Sequence, residues 1–458
     1  MLLEIAVVLV TSVAGLTVAT EVGTVPSATF QSVVTSDAPP AFTGPIVGGA
    51  GNAIGGANTR AASFGAQTLS TLASLPAENL NQYFESRPTV VDQLLSAQPP
   101  AQEVALWWGD LNVDRQTALE IASPQLVGNL EGVPFAIRDT SNRTVLNQTI
   151  TELTNVINSD IGRGVQQGAY QQLNMLSSIS GALENEKSGP ERTLVTLDVS
   201  GQGRAAIVLG DLADADYVSF LVPGMFFTIE NQMSYWVDAA KDLYSQQQMW
   251  LEHFESRSPF IRNESVATVA WIGYDTPNLT NVGEIENANQ GRDSLAGAIL
   301  GLQAQRGTDQ PYISIVAHSY GSTAALMALS EYDFEVDALA LVGSPGSPVQ
   351  SVSELNVRDG NVFVGEAAWD PIPNSSYFGP DPGSDSYGAK SLGVGGSFDV
   401  IMKQPLSKSV GHNEYFQPGS EAMRNFALLS IGRGDLVIPE NAPPTERALS
   451  MGAPRLDR

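Results

Sequence analysis

Hydrophobic and polar positions between residues 190 and 435 predict strands and helices in alternation. Short apolar segments rich in β-branched residues predict the strands: RTLVTLDVS, RAAIVLGD, YVSFLVPGM, VATVAWIGY, YISIVAHSY, ALALVGSPG and NVFVGEAAWD. Helical spacing falls between them, near 230–254, near 290–305 and from Gly321 onward. This alternation predicts an α/β fold with a mostly parallel central sheet flanked by helices. The GQG turn that joins the first two segments predicts an antiparallel hairpin at one edge of the sheet.

The preceding residues, 66–189, have the periodicity of helices. The segment 101–122 carries apolar groups near helical spacing, including Trp107 and Trp108. A second helix is predicted from apolar positions three or four residues apart: Leu146, Ile150, Leu153, Ile157 and Ile161. We expect these side chains to form a core and not a cofactor site. The sheet is therefore preceded by a helical N-terminal region.

The two ends of the chain differ from both regions. Residues 1–65 combine an apolar start with a lead-in rich in Gly, Ala, Ser and Pro. Residues 436–458 form a polar tail that contains several prolines. The predicted organisation is a lead-in at 1–65, a helical region at 66–189, an α/β domain at 190–435 and a tail at 436–458.

The apolar segment at residues 5–19 bears on location. It is short for a transmembrane helix and has the length of the apolar part of a signal peptide. However, no Lys or Arg precedes it, and Glu4 has the wrong charge for a signal peptide. Export or membrane association through residues 1–20 and a cytoplasmic location with an N-terminal core element are both open.

The composition excludes several classes of function. The net charge is −26 and the pI about 4.3, so a nucleic-acid partner is not expected, because phosphate binding needs a basic face. An acidic surface favours solubility, with tolerance of high salt as a sharper interpretation. The sequence has no cysteine, which excludes disulfides, thiolate metal ligands and cysteine nucleophiles.

The segment ISIVAHSYGSTAALMAL, residues 313–329, carries the candidate chemistry. It predicts a strand, a tight turn holding Ser319, and a helix rich in small residues. A strand-to-helix turn with a nucleophilic serine follows the pattern G-x-S-x-G, because larger side chains two residues away would collide with the strand or helix. Here those positions are Ala317 and Gly321, and alanine adds only a methyl group. Ser319 is therefore the candidate nucleophile.

A serine needs a base, and the chain has three histidines. His253 lies near a predicted helix end and is expected at the surface. His318 adjoins the serine and is expected to pack beside the strand. His412 lies downstream of the predicted sheet in SVGHNEYF, and the order serine, acid, histidine makes it the candidate base.

The acid should follow a strand between Ser319 and His412. Asp370 lies just past the strand at 361–365, before Pro371, and would orient the His412 ring and stabilise the imidazolium. Glu366 is the alternative. Two further carboxylates, Asp381 and Asp385, lie in a Gly- and Pro-rich loop and are expected to be solvated.

An oxyanion hole needs two backbone N–H groups. One is expected from Tyr320, directly after the serine, and the other from Met225 in the loop of VSFLVPGMFF, where Gly224 permits an unusual turn. An ordinary strand-end turn at Pro223 and Gly224 is the alternative interpretation.

Several segments together resemble an actinobacterial α/β-hydrolase family long catalogued as a domain of unknown function. They occur in the same order: VALWWGDL, SPQLVGNLEGVPFAIRDTSNRTVL, VSFLVPGM, VAWIGYDTP, VAHSYGSTA, LVGSPG and VGEAAWDPI. The resemblance covers roughly residues 100–420. It implies an α/β-hydrolase fold with Ser319 as nucleophile, Asp370 as acid and His412 as base, but says little about the substrate.

The residues and the resemblance predict a serine hydrolase that acts on a small-molecule acyl ester and needs no metal or organic cofactor. Thioesters, amides and acyl transfer to an alcohol stay open as alternatives. Apolar side chains near the site favour an acyl or aromatic group; the weak candidates for a pocket are Phe226, Phe227, Trp369 and Tyr377. The loop at 373–398 is expected to wall or cover the pocket. The rival interpretation is a non-catalytic binding or envelope protein that keeps the fold.

Overall fold

A computed structural model describes residues 51–160, 162–184, 189–257 and 264–440. The apolar segment at 5–19 and the end of the predicted tail lie outside the described residues, as does Ile161. The expectations about export or membrane association through residues 1–20 therefore stay predictions. None of the described helices combines the length and the apolar composition that a membrane crossing requires.

Within these ranges, eight strands form one sheet in the order β1-β2-β4-β3-β5-β6-β7-β8. The strands are β1 (Arg192–Asp198), β2 (Arg204–Leu209), β3 (Tyr217–Val222), β4 (Val266–Ile272), β5 (Tyr312–His318), β6 (Ala338–Val342), β7 (Val362–Gly365) and β8 (Lys390–Ser391). A separate antiparallel pair is formed by β9 (Ser397–Asp399) and β10 (Gln404–Leu406).

The strand directions match those expected from the sequence. β1 and β2 form an antiparallel hairpin, and β2 pairs antiparallel with β4. From β4 through β3, β5, β6 and β7 to β8, every pair is parallel. The prediction of an α/β fold with a mostly parallel sheet and an antiparallel edge is confirmed. Because parallel strands end at the same edge, the residues after β3, β5, β6 and β7 meet there.

Helices cover both faces of the sheet because the strand side chains alternate between two cores. In β5, Ile313, Ile315 and Ala317 face one core, and Val316 faces the other. Ala317 is fully buried in its core. The first core is closed by α10 (Glu286–Arg306) and α11 (Tyr320–Glu331); the second is closed by α8 (Arg163–Ala182), α9 (Ile229–Glu255) and α12 (Glu421–Ser430).

The N-terminal region is helical, as predicted, and has a small core of its own. Its helices are α1 (Gly51–Ser74), α2 (Leu80–Glu85), α3 (Val90–Ala97), α4 (Ala101–Asp110), α5 (Val113–Ala122), α6 (Pro124–Asn129) and α7 (Phe135–Asn158). Trp108 is buried in that core, and Trp107 donates its indole N–H to the Leu69 carbonyl at 2.8 Å. α1 begins at Gly51, inside the segment predicted as a lead-in.

The helices α1 to α7 attach to the α/β domain at β1, at α8 and at α10. α7 packs on β1 and α8, and α4 packs on α10. Glu131, which forms an ion pair with the buried Arg138, lies against Gly301 in the second half of α10. The first turn of α10, in contrast, contacts Tyr320, whose hydroxyl accepts the N–H of Ala288 at 3.0 Å. The Glu131 contact thus lies toward the other end of α10 from the contact with Tyr320.

The first residues of the predicted tail are packed. The carbonyl of Ile438 accepts the N–H of Gly393 at 2.7 Å, and the N–H of Glu440 donates to the Ser391 hydroxyl at 3.0 Å. The described chain therefore stays attached to the α/β domain as far as Glu440.

Candidate active site

Ser319 lies at the sharp turn between β5 and α11, at φ 54° and ψ −131°. Residues other than glycine rarely adopt a positive φ, so the surrounding structure must hold this conformation. The N–H of Ser319 donates to the Val342 carbonyl at 2.9 Å. A side chain at Gly321 would collide with the Pro223 carbonyl, which is why a glycine is needed there. The local sequence therefore presents a serine on a strained, tightly packed turn.

Ser319, His412 and Asp370 form a continuous hydrogen-bonded chain. His412 Nε2 lies 2.7 Å from Ser319 Oγ, and His412 Nδ1 lies 3.0 Å from each carboxylate oxygen of Asp370. All three side chains are buried. The carboxylate can only accept, so Nδ1 carries the hydrogen and Nε2 is left to accept the serine proton. The arrangement can remove a proton from Ser319 and return it.

Asp370 is held as a carboxylate. Burial would raise the pKa of Asp370, but hydrogen bonds from His412, from Tyr415 and from the Ile372 N–H outweigh it and hold the pKa below its usual range. The Tyr415 hydroxyl donates to Oδ2 at 2.6 Å, and the Ile372 N–H donates to Oδ1 at 3.0 Å. The residue before Asp370, Trp369, has a positive φ of 66°, so the backbone turns sharply just before the carboxylate.

The other two histidines do not reach the serine hydroxyl. His318 is buried, and its Nε2–H donates to the carbonyl oxygen of His412 at 2.7 Å. Burial, assisted by the proximity of His412, lowers the pKa of His318 to about 3, so this ring stays neutral. His253 lies in the last turn of α9, where Nδ1 faces Arg257 at 3.3 Å. His318 therefore holds the backbone of the histidine loop in addition to packing beside the strand.

Glu366, the alternative acid, does not contact His412. Its carboxyl group lies against Gly383 and Asp381. Burial and the neighbouring Asp381 raise the pKa of Glu366 to about 7. The expectation that Asp381 is simply solvated is wrong: it is half-buried, accepts the Gly383 N–H at 2.8 Å and pairs with Glu366, because the loop folds back onto the end of β7. Asp385 is exposed, as expected.

The two N–H groups expected for the oxyanion hole flank Ser319. Tyr320 begins α11, where the first N–H groups have no acceptor within the helix. Met225 follows Gly224, and a Cβ on Gly224 would lie 2.6 Å from the Ser319 Cβ. The Tyr274 hydroxyl donates to the Pro223 carbonyl at 2.7 Å and fixes the loop from the other side. These contacts bring both segments to the serine; the assignment of the two donors stays a prediction.

The candidate pocket residues have different surroundings. Phe226 packs with Met225, Ile372 and Val282 in a small apolar cluster next to the acid loop. Phe227 instead packs edge-on against Trp236, with ring centroids 4.9 Å apart, because α9 presents that ring to it. This contact belongs to the core that α8, α9 and α12 close, and not to a pocket at the serine.

Two pocket candidates lie on the loop segments near the acid. Trp369 is 89% exposed, beside Asp370. Tyr377 contacts Phe378, which packs edge-on against Tyr320 at 5.3 Å. The N–H of Phe378 donates to the Pro345 carbonyl at 3.1 Å, so this part of the 373–398 loop is fixed beside the start of α11.

Sequence reasoning missed two contacts of this site. Tyr415 was not singled out, and His318 was not expected to hydrogen-bond the His412 backbone. Tyr415 follows His412 by three residues, but nothing in HNEYF indicates that its hydroxyl reaches an aspartate 45 positions away. Among the described residues, no group of three or more His, Cys, Asp or Glu side chains could hold a metal ion.

A family model described as Alpha/beta hydrolase matches residues 198–380. The match includes Ser319 and Asp370 and ends before His412. Over these residues it supports the α/β-hydrolase resemblance drawn from the sequence.

The chain also matches individual proteins. An uncharacterized protein of Mycobacterium tuberculosis (strain ATCC 25618 / H37Rv) is 26% identical over 404 residues, which cover 76% of this chain and 58% of the relative. An uncharacterized protein of Mycobacterium bovis (strain ATCC BAA-935 / AF2122/97) is 29% identical over 213 residues, 45% of this chain and 78% of that protein. The matched part of this chain thus spans 58% of the length of the M. tuberculosis relative. Among solved structures, an S-formylglutathione hydrolase from Agrobacterium tumefaciens is 13% identical with a TM-score of 0.33, covering 54% of this chain and 97% of that one.

Proposed function

We propose that this protein, which has an α/β-hydrolase fold, is a serine hydrolase that cleaves carboxylic esters through Ser319, His412 and Asp370. The observation that carries the proposal is the chain of hydrogen bonds from Ser319 through His412 to Asp370 at the strained turn after β5. A serine hydroxyl is a weak nucleophile until a base accepts its proton. Asp370 keeps the hydrogen of His412 on Nδ1, so Nε2 is free to accept the proton of Ser319.

The reaction follows from the geometry. Ser319 Oγ attacks the acyl carbonyl while its proton passes to His412 Nε2, and Asp370 stabilises the resulting imidazolium. The N–H groups of Tyr320 and Met225 would bind the oxygen on which negative charge develops. His412 then gives the proton to the departing alcohol, which leaves an acyl-enzyme on Ser319. Water, activated by the same histidine, releases the acid and restores the serine.

The proposed chemistry needs no metal or organic cofactor, because base, acid and oxyanion donors come from the chain itself. Thioesters and amides present the same carbonyl, and an alcohol could replace water in the second step, so substrate profiling must decide among these. The apolar cluster of Met225, Ile372, Phe226 and Val282 supports an apolar acyl or aromatic group over a charged one. Association with a membrane or the cell envelope through residues 1–20 is a separate proposal, tested by mass spectrometry of the mature N-terminus.

The first experiment measures hydrolysis of a short-chain p-nitrophenyl ester by the protein and by Ser319→Ala. We expect the variant to lose several orders of magnitude in kcat, as other enzymes do without their nucleophile. Ser330→Ala is the matched control, because Ser330 lies near the end of the same helix, where its hydroxyl donates to the local Met327 carbonyl at 3.3 Å.

A second readout separates an enzyme from a binding protein that keeps the fold. A fluorophosphonate should form a covalent adduct on the peptide that contains Ser319, even if the chosen ester is a poor substrate. Equal hydrolysis by the protein and Ser319→Ala would contradict the assignment of the nucleophile. Absence of both hydrolysis and labelling would favour the non-catalytic alternative.

A further inference from the structure

We propose that Tyr415 is a positioning residue of this site, which fixes both the orientation and the negative charge of Asp370. The inference rests on the proposed function, since Asp370 matters to catalysis only if His412 acts as the base. It adds a fourth side chain to the three found by sequence reasoning.

The Tyr415 hydroxyl bridges the two ends of the acid loop. It donates to Asp370 Oδ2 at 2.6 Å and accepts the N–H of Ala367 at 2.9 Å. The Ile372 N–H donates to the other oxygen, Oδ1, at 3.0 Å. Each carboxylate oxygen therefore has a supporting donor besides His412, and rotation of the carboxyl group would break at least one of these bonds.

The same hydroxyl contributes to the charge on Asp370. The titratable side chains that influence this carboxylate are His412, Tyr415, Glu366 and His318. Of these, His412 and Tyr415 donate hydrogen bonds that favour the ionised form. Burial and the negative charge of Asp370 raise the pKa of Tyr415, so its hydroxyl keeps the proton it donates.

Packing alone does not explain a tyrosine at this position. The Tyr415 ring is fully buried in the core cluster that contains Phe416 and Phe426, beside the His318 ring at 5.8 Å. A phenylalanine would fill the same volume among these aromatic rings. Only the hydroxyl reaches Ala367 and Asp370.

The test compares Tyr415→Phe with the unchanged protein in ester hydrolysis across pH. We expect kcat to fall on the order of tenfold, the effect of a lost hydrogen bond to a charged group, with KM little changed. The acidic limb of the pH profile should move to higher pH. Without the Tyr415 donor the negative charge of Asp370 is less stabilised. Asp370 then stabilises the imidazolium of His412 more strongly, so the base is lost at a higher pH.

Tyr332→Phe is a matched control. The Tyr332 hydroxyl also donates to an aspartate, Asp293 Oδ1, at 2.8 Å, but Tyr332 lies just beyond the far end of α11. We expect its removal to leave kcat, KM and the pH profile unchanged.

A double-mutant cycle shows whether Tyr415 acts through Asp370. In an Asp370→Asn background, Tyr415→Phe should change kcat by less than about twofold, because the group it positions is already neutral. A full tenfold loss in that background would overturn the inference. An unchanged kcat and pH profile for the single variant would overturn it as well, while labelling of Ser319 would leave the proposed function standing.

Folding of the variant is checked by thermal unfolding. If Tyr415→Phe does not fold, 3-fluorotyrosine at position 415 keeps the ring and the hydroxyl and strengthens the donor. The acidic limb should then move to lower pH, and an unmoved limb would overturn the positioning role. A protein that is inactive and unlabelled at Ser319 would remove both this inference and the proposed function.

Discussion

The ring of His318 lies with its centroid 4.6 Å from that of His412, and its Nε2–H donates to the His412 backbone carbonyl at 2.7 Å. The residue before the candidate nucleophile thus fixes the loop that carries the candidate base. A charged His318 would be buried next to His412, so protonation of His318 at low pH should destabilise the folded protein.

We predict that His318 makes the protein less stable as the pH falls. The pKa of His318 is about 3 in the folded protein and about 6.5 in an unfolded chain, so between these values only the unfolded state takes up the proton. From pH 6 to pH 4.5 this uptake should lower the free energy of unfolding by about 2 kcal/mol. His318→Gln keeps a donor and removes the titration. Urea unfolding at pH 6 and at pH 4.5 should show that the free energy of unfolding of the variant does not fall by this amount.

The control for His318 is His253→Gln. His253 lies in the last turn of α9 and is far less enclosed, so its replacement should change the pH dependence much less. An equal change for both variants would contradict the buried, neutral state of His318.

Glu366 should have the opposite pH dependence. Burial and the neighbouring Asp381 raise the pKa of Glu366 from 4.5 to about 7, so the folded state holds the proton more tightly than the unfolded chain. Its contribution to stability is therefore present below about pH 4.5 and is lost as the pH rises through 7. Glu366→Gln keeps the neutral form at every pH. Thermal unfolding of both proteins gives the difference in stability, variant minus unchanged protein. This difference should be larger at pH 8 than at pH 5, and a larger difference at pH 5 would contradict the assignment.

Gly343 should tolerate no side chain if the site is to work. It has φ +58°, and a Cβ there would lie 2.8 Å from Asp370 Oδ2 and 3.0 Å from His412 Cε1. We expect Gly343→Ala to lower kcat about 100-fold or more by displacing the acid from the base. Gly360 has the same φ of +58° but only Val352 Cγ1 nearby, at 3.4 Å. Gly360→Ala should therefore lower stability by about 1 kcal/mol and leave hydrolysis unchanged. Similar activity losses in both variants would show that strain, and not the contact, is responsible.

Trp369 should be replaceable by glycine with a gain in stability. The residue is 89% exposed at φ 66°, so Trp369→Gly relieves backbone strain and removes little buried surface. We expect a gain of about 1 kcal/mol in thermal or urea unfolding. If the indole also contacts substrate, KM should rise for a long-chain ester and not for an acetate. Lys403→Gly, at φ 56° on an exposed turn, is the matched control and should give the stability gain without a change in KM.

The sheet and the order of the site residues were predictable because their signals are local. β-Branched segments such as YISIVAH specify strands, and helices between them specify parallel pairing. Ser319 was recognisable as a candidate from the small residues around it, and the serine, acid, histidine order then pointed to His412 and to Asp370, with Glu366 as the alternative acid. Glu366 could not be excluded by sequence, because both carboxylates follow β7 and only the folded loops bring Asp370 to the histidine and Glu366 to Gly383.

Contacts between distant segments were not predictable. The Tyr415–Asp370 bond joins positions 45 residues apart, and the folding of the 373–398 loop onto Glu366 depends on the close approach of Gly383. Glycine has a low helix propensity, so the Gly-rich start of α1 was interpreted as a lead-in. The helix nevertheless runs from Gly51 to Ser74, and its second half buries Leu69 and Leu72.

The loop that brings His412 to the serine lies between β10 and α12 and has no regular secondary structure of its own. It is attached to the acid loop by the bridge between Ala368 and Val410 and by the Gly411 N–H, which donates to the Ala368 carbonyl at 2.8 Å. Tyr415 and Phe416 also anchor it in the core. A segment without regular secondary structure can nevertheless open locally while the sheet stays folded. Hydrolysis is thus a sensitive reporter of local order. In a urea titration, activity should disappear before the tryptophan fluorescence or circular dichroism of the sheet and helices changes, and the gap between the two midpoints would measure how weakly the base is held.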